Sequence, residues 1–380
     1  MSGQFIALEQ TCDFLSGYAW SAASFETDPV GLPIIRIQNV DAVRVSDFVY
    51  WSGEYDKRFV VRAGDLLLTL SGSFRAVVWQ GPDALLNQRI VKLIPKPGYS
   101  LDWLLHVLRN GLNTISGLGR HALVSNVALA DLRQLKVSSQ TSEEQRRIAA
   151  ILDQTETVRC QRRAALAHLD SLTQSIFLDM FGDPVTNPKG WSVKPVSSLG
   201  RVVTGNTPSR DVPEYYGNSV EWIKSDNLNT PHYYLTRATE GLSDAGKAIG
   251  RVVPPQSILV TCIAGSPDCI GNAAMADREV AFNQQINAFV PSELDSHFAY
   301  AQIVVGKKLI QNASTNGMKG MVSKSRFEAI EFIVPPLPLQ QTFATRIQAI
   351  ESLKTTHRTA LAQLDALFAS LQQRAFAGEL

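Results

Sequence analysis

The chain has 380 residues, with 36 Lys+Arg against 35 Asp+Glu, 45% hydrophobic residues and a mean hydropathy of −0.03. That is room for about two or three domains with real cores, and no apolar run approaches the length of a membrane span. Four cysteines without a CxxC pair (Cys12, Cys160, Cys262, Cys269) and scattered histidines support neither a zinc centre nor a disulfide framework. The first basic residue is Arg36, so no signal-peptide n-region is expected, and a reducing cytoplasm is the expected location. Charge is close to even in every segment; a nucleic-acid binder made from this sequence has to cluster its cations by folding.

The first region, residues 1–140, contains short β-rich runs at 59–61, 66–69, 75–79 and 90–94, bounded by Gly, Pro and Asn. A helix is expected over 101–113 and an extended segment over 132–138. Strands first and a helix after predict an α+β domain with a twisted, largely antiparallel sheet.

Residues 141–182 read as one long helix. It opens on Thr141-Ser142-Glu143-Glu144-Gln145, where Thr141 with Glu144, or Ser142 with Gln145, can form a capping box. It closes on Phe181-Gly182-Asp183-Pro184. Between them lie about 37 residues without Gly or Pro, roughly 55 Å of helix. A seven-residue frame gives a seam of Ile148, Ile151, Thr155, Val158, Arg162, Ala165, Leu169, Leu172, Ile176 and Asp179, a stripe that wants a partner helix.

Residues 183–336 repeat the first region. Ser16-Gly17 aligns with Thr204-Gly205, and Asn39 with Asn227, at an offset of 188; Asn87-Gln88 aligns with Asn283-Gln284 at 196. A helix over 297–312 and an extended segment over 330–338, stiffened by Pro335, Pro336 and Pro338, match their earlier counterparts. Residues 337–380 then repeat the long helix at an offset of 195, with a seam of Phe343, Arg346, Ile350, Leu353, His357, Ala360, Leu364, Leu367, Leu371 and Arg374. The polar interruptions coincide, Arg162 with His357 and Asp179 with Arg374. One such helix would be an ordinary bundle element; two that repeat in frame read as a duplicated spacer. The order is globular–helix–globular–helix, two copies of one domain differing by loop insertions.

No GxxxxGK[ST], GxGxxG, HExxH, GxSxG or Asn/Asp-Pro-Pro-aromatic motif occurs, and Glu54-Tyr55-Asp56-Lys57 is a weak match to a nuclease centre. The expectation is a chain without catalysis. What remains suits binding. Glycine-punctuated polar loops let a backbone N–H approach a phosphate while a neighbouring cation supplies charge. Ser71, Ser73 and Arg75 lie in one such loop, Arg120 and His121 in a second, Thr207, Ser209 and Arg210 in a third, and Lys319 in a fourth that matches Arg120. Arg36, Gln38, Lys224, Ser225, Ser266 and Lys324 complete the candidate DNA contacts. The Asn87-Gln88 and Asn283-Gln284 pairs are expected to satisfy backbone groups, and Tyr215, Tyr216 and Trp222 to serve the core.

The chain resembles the specificity subunits of type I restriction–modification systems. The resemblance rests on Gly205-x-Thr207-Pro208-Ser209, Tyr215-Tyr216-Gly217, Trp222-Ile223-Lys224, Ala281-Phe282-Asn283-Gln284-Gln285-Ile286, and Pro335-Pro336-Leu337-Pro338-Leu339-Gln340-Gln341 opening a helix that carries Leu364-Asp365. The first half departs at Tyr18-Ala19-Trp20 and at Ser138-Ser139-Gln140, while Glu144-Gln145, Leu169-Asp170 and Phe181-Gly182-Asp183-Pro184 still fit. The resemblance implies two target-recognition domains, each reading one part of a split double-stranded DNA target. The two helices would pack as an antiparallel coiled coil with pseudo-twofold symmetry. It further implies docking of two methyltransferase subunits carrying S-adenosylmethionine and of restriction subunits using ATP and Mg, with no cofactor in this chain. A coiled-coil scaffold with protein-binding ends, or the specificity module of a methylation-only system, are the other readings. For the seam, Ile148, Ile151, Val158, Leu169, Leu172, Ile176, Phe343, Ile350, Leu353, Leu364, Leu367 and Leu371 are the expected packing residues.

Overall fold

The computed structural model describes residues 5–40, 47–70, 75–118, 129–315, 320–377 and 379, with the side chains of 112–118 excepted. It divides into two compact units, Met1–Gln161 with Leu361–Leu380, and Arg162–Ala360, so each unit holds one globular copy and a stretch of both long helices.

In the first unit, strands Cys12–Ser16, Ile90–Pro95, Leu66–Thr69 and Ala76–Val78 pair in that order, all antiparallel. A second sheet runs Val49–Trp51, Leu32–Ile35, Ala84–Leu86, Val60–Val61, with one parallel pairing between Leu32–Ile35 and Ala84–Leu86. Leu66 and Leu68 point to one side, onto Trp103, Leu104 and Leu108 of a helix, while Leu67 points to the other, onto the second sheet. Burial on both faces explains why this strand is an unbroken apolar run. The helices are α1 (Ile37–Val40), α2 (Leu101–Leu118), α3 (Leu129–Arg133) and the start of α4 (Ser142–Phe181).

The second unit repeats this order. Strands Gly200–Thr204, Ile286–Pro291, Ile258–Thr261 and Ala273–Met275 form the antiparallel sheet. Gly241–Leu242, Tyr216–Ile223, Val280–Phe282 and Val252–Val253 form the second, with the parallel pairing again at its centre. Its helices are α5 (Asp244–Ile249), α6 (Ser296–Val305), α7 (Lys307–Asn312), α8 (Lys324–Glu328) and α9 (Leu337–Ala377). In both copies the opening strand pairs with the closing one, Phe5–Ala7 with Lys136–Ser138 and Val193–Pro195 with Glu331–Ile333. Gly17 and Gly205 pass so close to a neighbouring chain that an added Cβ would meet the carbonyl of Asn87 or Asn283 at 2.1 Å. That close approach explains their conservation between the copies.

Local expectations shift in three places. Residues 132–138 are not extended throughout, because α3 precedes the strand; the helix expected over 297–312 breaks at Gly306; and α9 takes Leu337 and Pro338 into its first turn, where proline's missing N–H costs nothing.

The capping box that forms on α4 is Thr141 with Glu144: the Thr141 N–H donates to Glu144 Oε2 at 2.7 Å and Glu144 N–H to Thr141 Oγ1 at 3.3 Å. The Thr141 N–H and the Thr141 hydroxyl, both donating to the Glu144 carboxylate, hold it below its ordinary range. At the other end Gly182 takes φ +79° and the Lys189 ammonium donates to the carbonyls of Asp179 and Met180.

Within each unit α4 and α9 run antiparallel. In the second, Arg162 meets His357, Asp170 meets Lys354, and Phe177 and Phe181 pack edge-to-face with Phe343, ring centres 5.7 and 5.5 Å away. In the first, Ile148, Ala149 and Leu152 pack with Leu371, Ala375 and Phe376. The seam differs from the expected frame in its second position. It passes through Ile148, Leu152, Thr155, Arg159, Arg162, Leu166, Leu169, Thr173, Ile176 and Met180, all buried or half-buried. On α9 it passes through Phe343, Ile347, Ile350, Lys354, His357, Leu361, Leu364, Phe368, Leu371 and Ala375. The step after each first position is therefore four residues, not three. Ile151 and Val158 are half-buried beside the seam, whereas Leu172, Leu353 and Leu367 stand 42%, 52% and 49% exposed. The physical reason is that Arg159 and Lys354, which an apolar pattern rejects, enter the seam with their counter-charges.

Gln145 is free for another task. Its Oε1 accepts the Ser100 N–H at 2.9 Å and its Nε2 donates to the Gln140 carbonyl at 2.9 Å. Gln340, its counterpart, accepts the Asp295 N–H at 3.0 Å and donates to the Pro335 carbonyl at 2.7 Å. Both are 1% exposed. Each clamps the start of α2 or α6 to the start of its long helix. Replacing Gln340 by Ala strands a buried donor and a buried acceptor, so thermal unfolding should show a loss of about 1–3 kcal/mol, with faster amide exchange at Asp295.

Candidate nucleic-acid interface

In the second unit the turn after strand Gly200–Thr204 carries Thr207, Ser209 and Arg210, and it is pinned on aromatics. Tyr216 Oη donates to the Pro208 carbonyl at 2.7 Å and Trp222 Nε1 to the Asn206 carbonyl at 3.2 Å. Trp222 is core at 3% exposure, and its edge still serves as a platform: the Arg210 guanidinium lies 4.4 Å from the Tyr216 ring centre and 5.2 Å from that of Trp222, with Lys224 Nζ also 5.2 Å from Trp222. Thr207 donates to Gln284, and Ser225 to Gln285 at 3.1 Å. Fold therefore gathers Thr207, Ser209, Arg210, Lys224 and Ser225, with the exposed Gln284, on one surface.

Glu240 sits among these residues, and no motif in the sequence pointed to it. Its carboxylate accepts from Arg210 Nη2 at 2.7 Å and from Lys224 Nζ at 2.5 Å. Those bonds hold it below the ordinary carboxylate range and raise Arg210. Beside it Glu221 takes a bidentate grip from Arg278, 2.8 Å to Nε and 2.7 Å to Nη2, together with the Ala238 N–H and Arg237. The near-neutral composition thus takes a definite form: cations on this face are matched to carboxylates before any ligand arrives.

Asn283 and Asn87 shape equivalent turns, each Oδ1 accepting the N–H two residues on, from Gln285 at 3.1 Å and from Arg89 at 3.2 Å. Asn227 and Asn39 likewise hold the N–H of Lys224 at 3.0 Å and of Arg36 at 2.9 Å. So Asn39 and Asn227 orient Arg36 and Lys224 in the two copies. Arg36 is half-buried and its Nη2 donates to the Asp47 carbonyl at 2.7 Å, while Gln38 is exposed on α1. Arg75 is exposed, lining a groove of about 640 Å³ with Arg109, Arg159 and Asp365. Ser266 lies on an exposed loop next to strand Ile263–Ala264, which pairs with Gly320–Met321; Lys324 lies just beyond and meets Glu328 at 3.5 Å. Ser71, Ser73, Arg120, His121 and Lys319 lie outside the described residues.

A polar chain, buried at Tyr233 and His297 and reaching the exposed Gln348, ties the second copy to α9: Tyr233 Oη to His297 Nδ1 at 2.6 Å, and Gln348 to His297 Nε2 at 2.9 Å. Burial lowers His297, favouring the neutral imidazole, and raises Tyr233. In the first copy His106, 1% exposed, meets Asp153 of α4 at 2.8 Å. Burial also pushes the Cys262 thiol up to about 12.

A family model described as "Type I restriction modification DNA specificity domain" matches residues 4–164 and again 188–366. The HindI specificity subunit of Haemophilus influenzae is 30% identical over 169 residues, 43% of this chain but only 36% of that subunit. The EcoBI specificity subunit of Escherichia coli is 22% identical over 99% of this chain and 85% of its own length. Among solved structures, the type I restriction–modification S subunit from M. genitalium superposes with a TM-score of 0.62 at 12% identity, covering 98% of this chain and 96% of that one.

Arg278 holds Glu221 down to about 2 from an ordinary 4.5. A depressed folded-state value means the pair stabilises fully above about pH 4.5 and is lost as pH falls towards 2. Glu221→Gln should lower stability at neutral pH and flatten the acid limb of a Tm-against-pH curve in that window.

Proposed function

The chain belongs to the type I restriction modification DNA specificity family, matched over both its halves, and from that premise we propose that it selects an interrupted, asymmetric DNA target without catalysing a step itself. The observation that carries this reading is the duplication: one strand order and one helix clamp occur twice, beneath loops of different sequence. Equivalent scaffolds with unlike loops suit two unlike half-sites. The 40-residue α4, about 60 Å long, suits a spacer of unread base pairs between them.

In this reading Arg210 and Lys224 contact phosphate, exchanging Glu240 for the DNA backbone, and Thr207, Ser209 and Gln284 lie where bases pass. Leu172, Leu353 and Leu367, exposed on α4 and α9, support docking of two methyltransferase subunits, which carry S-adenosylmethionine; restriction subunits carry ATP and Mg.

Co-expressed with its methyltransferase, the chain should purify as a complex whose DNA affinity falls steeply with salt. Glu240→Gln should tighten that binding and steepen its salt slope by about 1–2, and Arg210→Ala should weaken it. A complex that captures proteins but shows no salt-dependent DNA binding would favour the scaffold reading and overturn this one. Removing one heptad from both α4 and α9 shortens each by about 10 Å, equivalent to roughly three base pairs. The shortened protein should lose affinity for the original spacing and recover it on a shorter spacer; unchanged spacing would contradict the helix's role as ruler.

A further inference from the structure

We infer that Arg159 and Lys354 are positioning residues that set the axial register of α4 against α9, and through it the target spacing; the second half of this inference rests on the function proposed above. Arg159 Nε donates to Asp365 at 2.6 Å and its Nη1 to Glu156, while its guanidinium covers Phe368 at 4.4 Å. Lys354 Nζ meets Asp170 at 2.9 Å and Glu351 at 2.7 Å. Under the 195-residue offset every member of one cluster maps onto the other: Glu156 onto Glu351, Arg159 onto Lys354, Asp170 onto Asp365. Each unit builds the same device independently: a cation from one helix, braced by the glutamate three residues before it, reaching an aspartate on the antiparallel partner.

Both cations occupy seam positions. The Lys354 side chain is 6% exposed and Arg159 15%, with their aspartates 48% and 43% exposed. Arg162, another seam residue, donates to its own repeat counterpart, His357 Nδ1, at 3.1 Å. The seam is therefore apolar towards the helix ends and polar between, from Thr155 to Arg162 and from Lys354 to His357. An apolar heptad stripe tolerates a slip of one heptad, because Leu and Ile replace one another. A cation whose aspartate has moved about 10 Å away does not. Ion pairs of this burial add little to stability, and their best-attested use is to select one register.

The test uses the full chain, spin-labelled at Ala150→Cys and Ala362→Cys with Cys160 and Cys269 changed to Ser. Pulsed electron resonance should give one distance for the parent and for the exchanged pair Arg159→Lys with Lys354→Arg. The neutral variant (Glu156→Gln, Arg159→Met, Asp365→Asn, Glu351→Gln, Lys354→Met, Asp170→Asn) should keep its helical circular dichroism and gain a second population displaced by about 10 Å. A variant neutral only in the more exposed cluster of the first unit gives the same reading should the full variant fail to fold. A single unshifted distance in the neutral protein that folds overturns the inference. On the methylated target, spacers altered by about three base pairs, the equivalent of one heptad, should be rejected roughly tenfold or more by the parent and about threefold or less by the neutral variant. Loss of register with no split target would overturn the functional reading while leaving the register assignment standing.

Discussion

Two helices of about 60 Å, each lacking any interior glycine or proline, have to bury one stripe apiece. That constraint governs the molecule. Neither stripe is apolar throughout, so association cannot rest on oil alone. Phe177, Phe181, Phe298 and Phe343 close the seam in the second unit, and Trp103, Ile148, Leu152 and Ala375 in the first. Between them the helices meet through charge. Packing supplies the stability, and the ions between decide which pairing is the native one.

The globular copies depend on the same helices. Gln145 and Gln340 fasten α2 and α6 to the first turns of α4 and α9, and the His106–Asp153 and His297–Gln348 contacts fasten them again a few turns along. A recognition surface carried this way moves with its helix, so side chains such as Arg210 and Lys224 inherit a fixed frame. Their common partner Glu240 offsets one of their two positive charges. In the function proposed, phosphate takes the place of this carboxylate, which limits non-specific attraction without removing the cations a phosphate needs.

Much of this was legible in the sequence because it is periodic or repeated. The duplication appears as near-constant offsets, both long helices run without an interior breaker, and the first carries a capping box and a closing glycine. The parallel strand pairing inside each second sheet was not legible, since it joins residues 51 apart in the first copy (Ile34 with Leu85) and 59 apart in the second (Trp222 with Ala281) by backbone bonds that leave no side-chain pattern. Nor was the second seam position: periodicity scores Leu172 and Leu353 as core and Arg159 and Lys354 as surface, and only the counter-charges on the partner helix reverse that order. Glu240 was hidden for a similar reason, because its partners Arg210 and Lys224 lie 30 and 16 residues earlier in sequence. Trp222, on the strand Tyr216–Ile223, was legible as core, whereas Tyr215 and Tyr216 are only half-buried, and the shelf that Tyr216 and Trp222 make for the cations was not legible.

One chain carrying two unlike readers on a duplicated scaffold should leave its mark in the methylation of the host's DNA. Sequencing methylated bases across the genome of the native organism, with and without this gene, should reveal an adenine-methylated motif that is asymmetric, interrupted by unread bases, and absent when the gene is deleted. A continuous or palindromic motif lost on deletion, with the partner methyltransferase expressed, would contradict that arrangement.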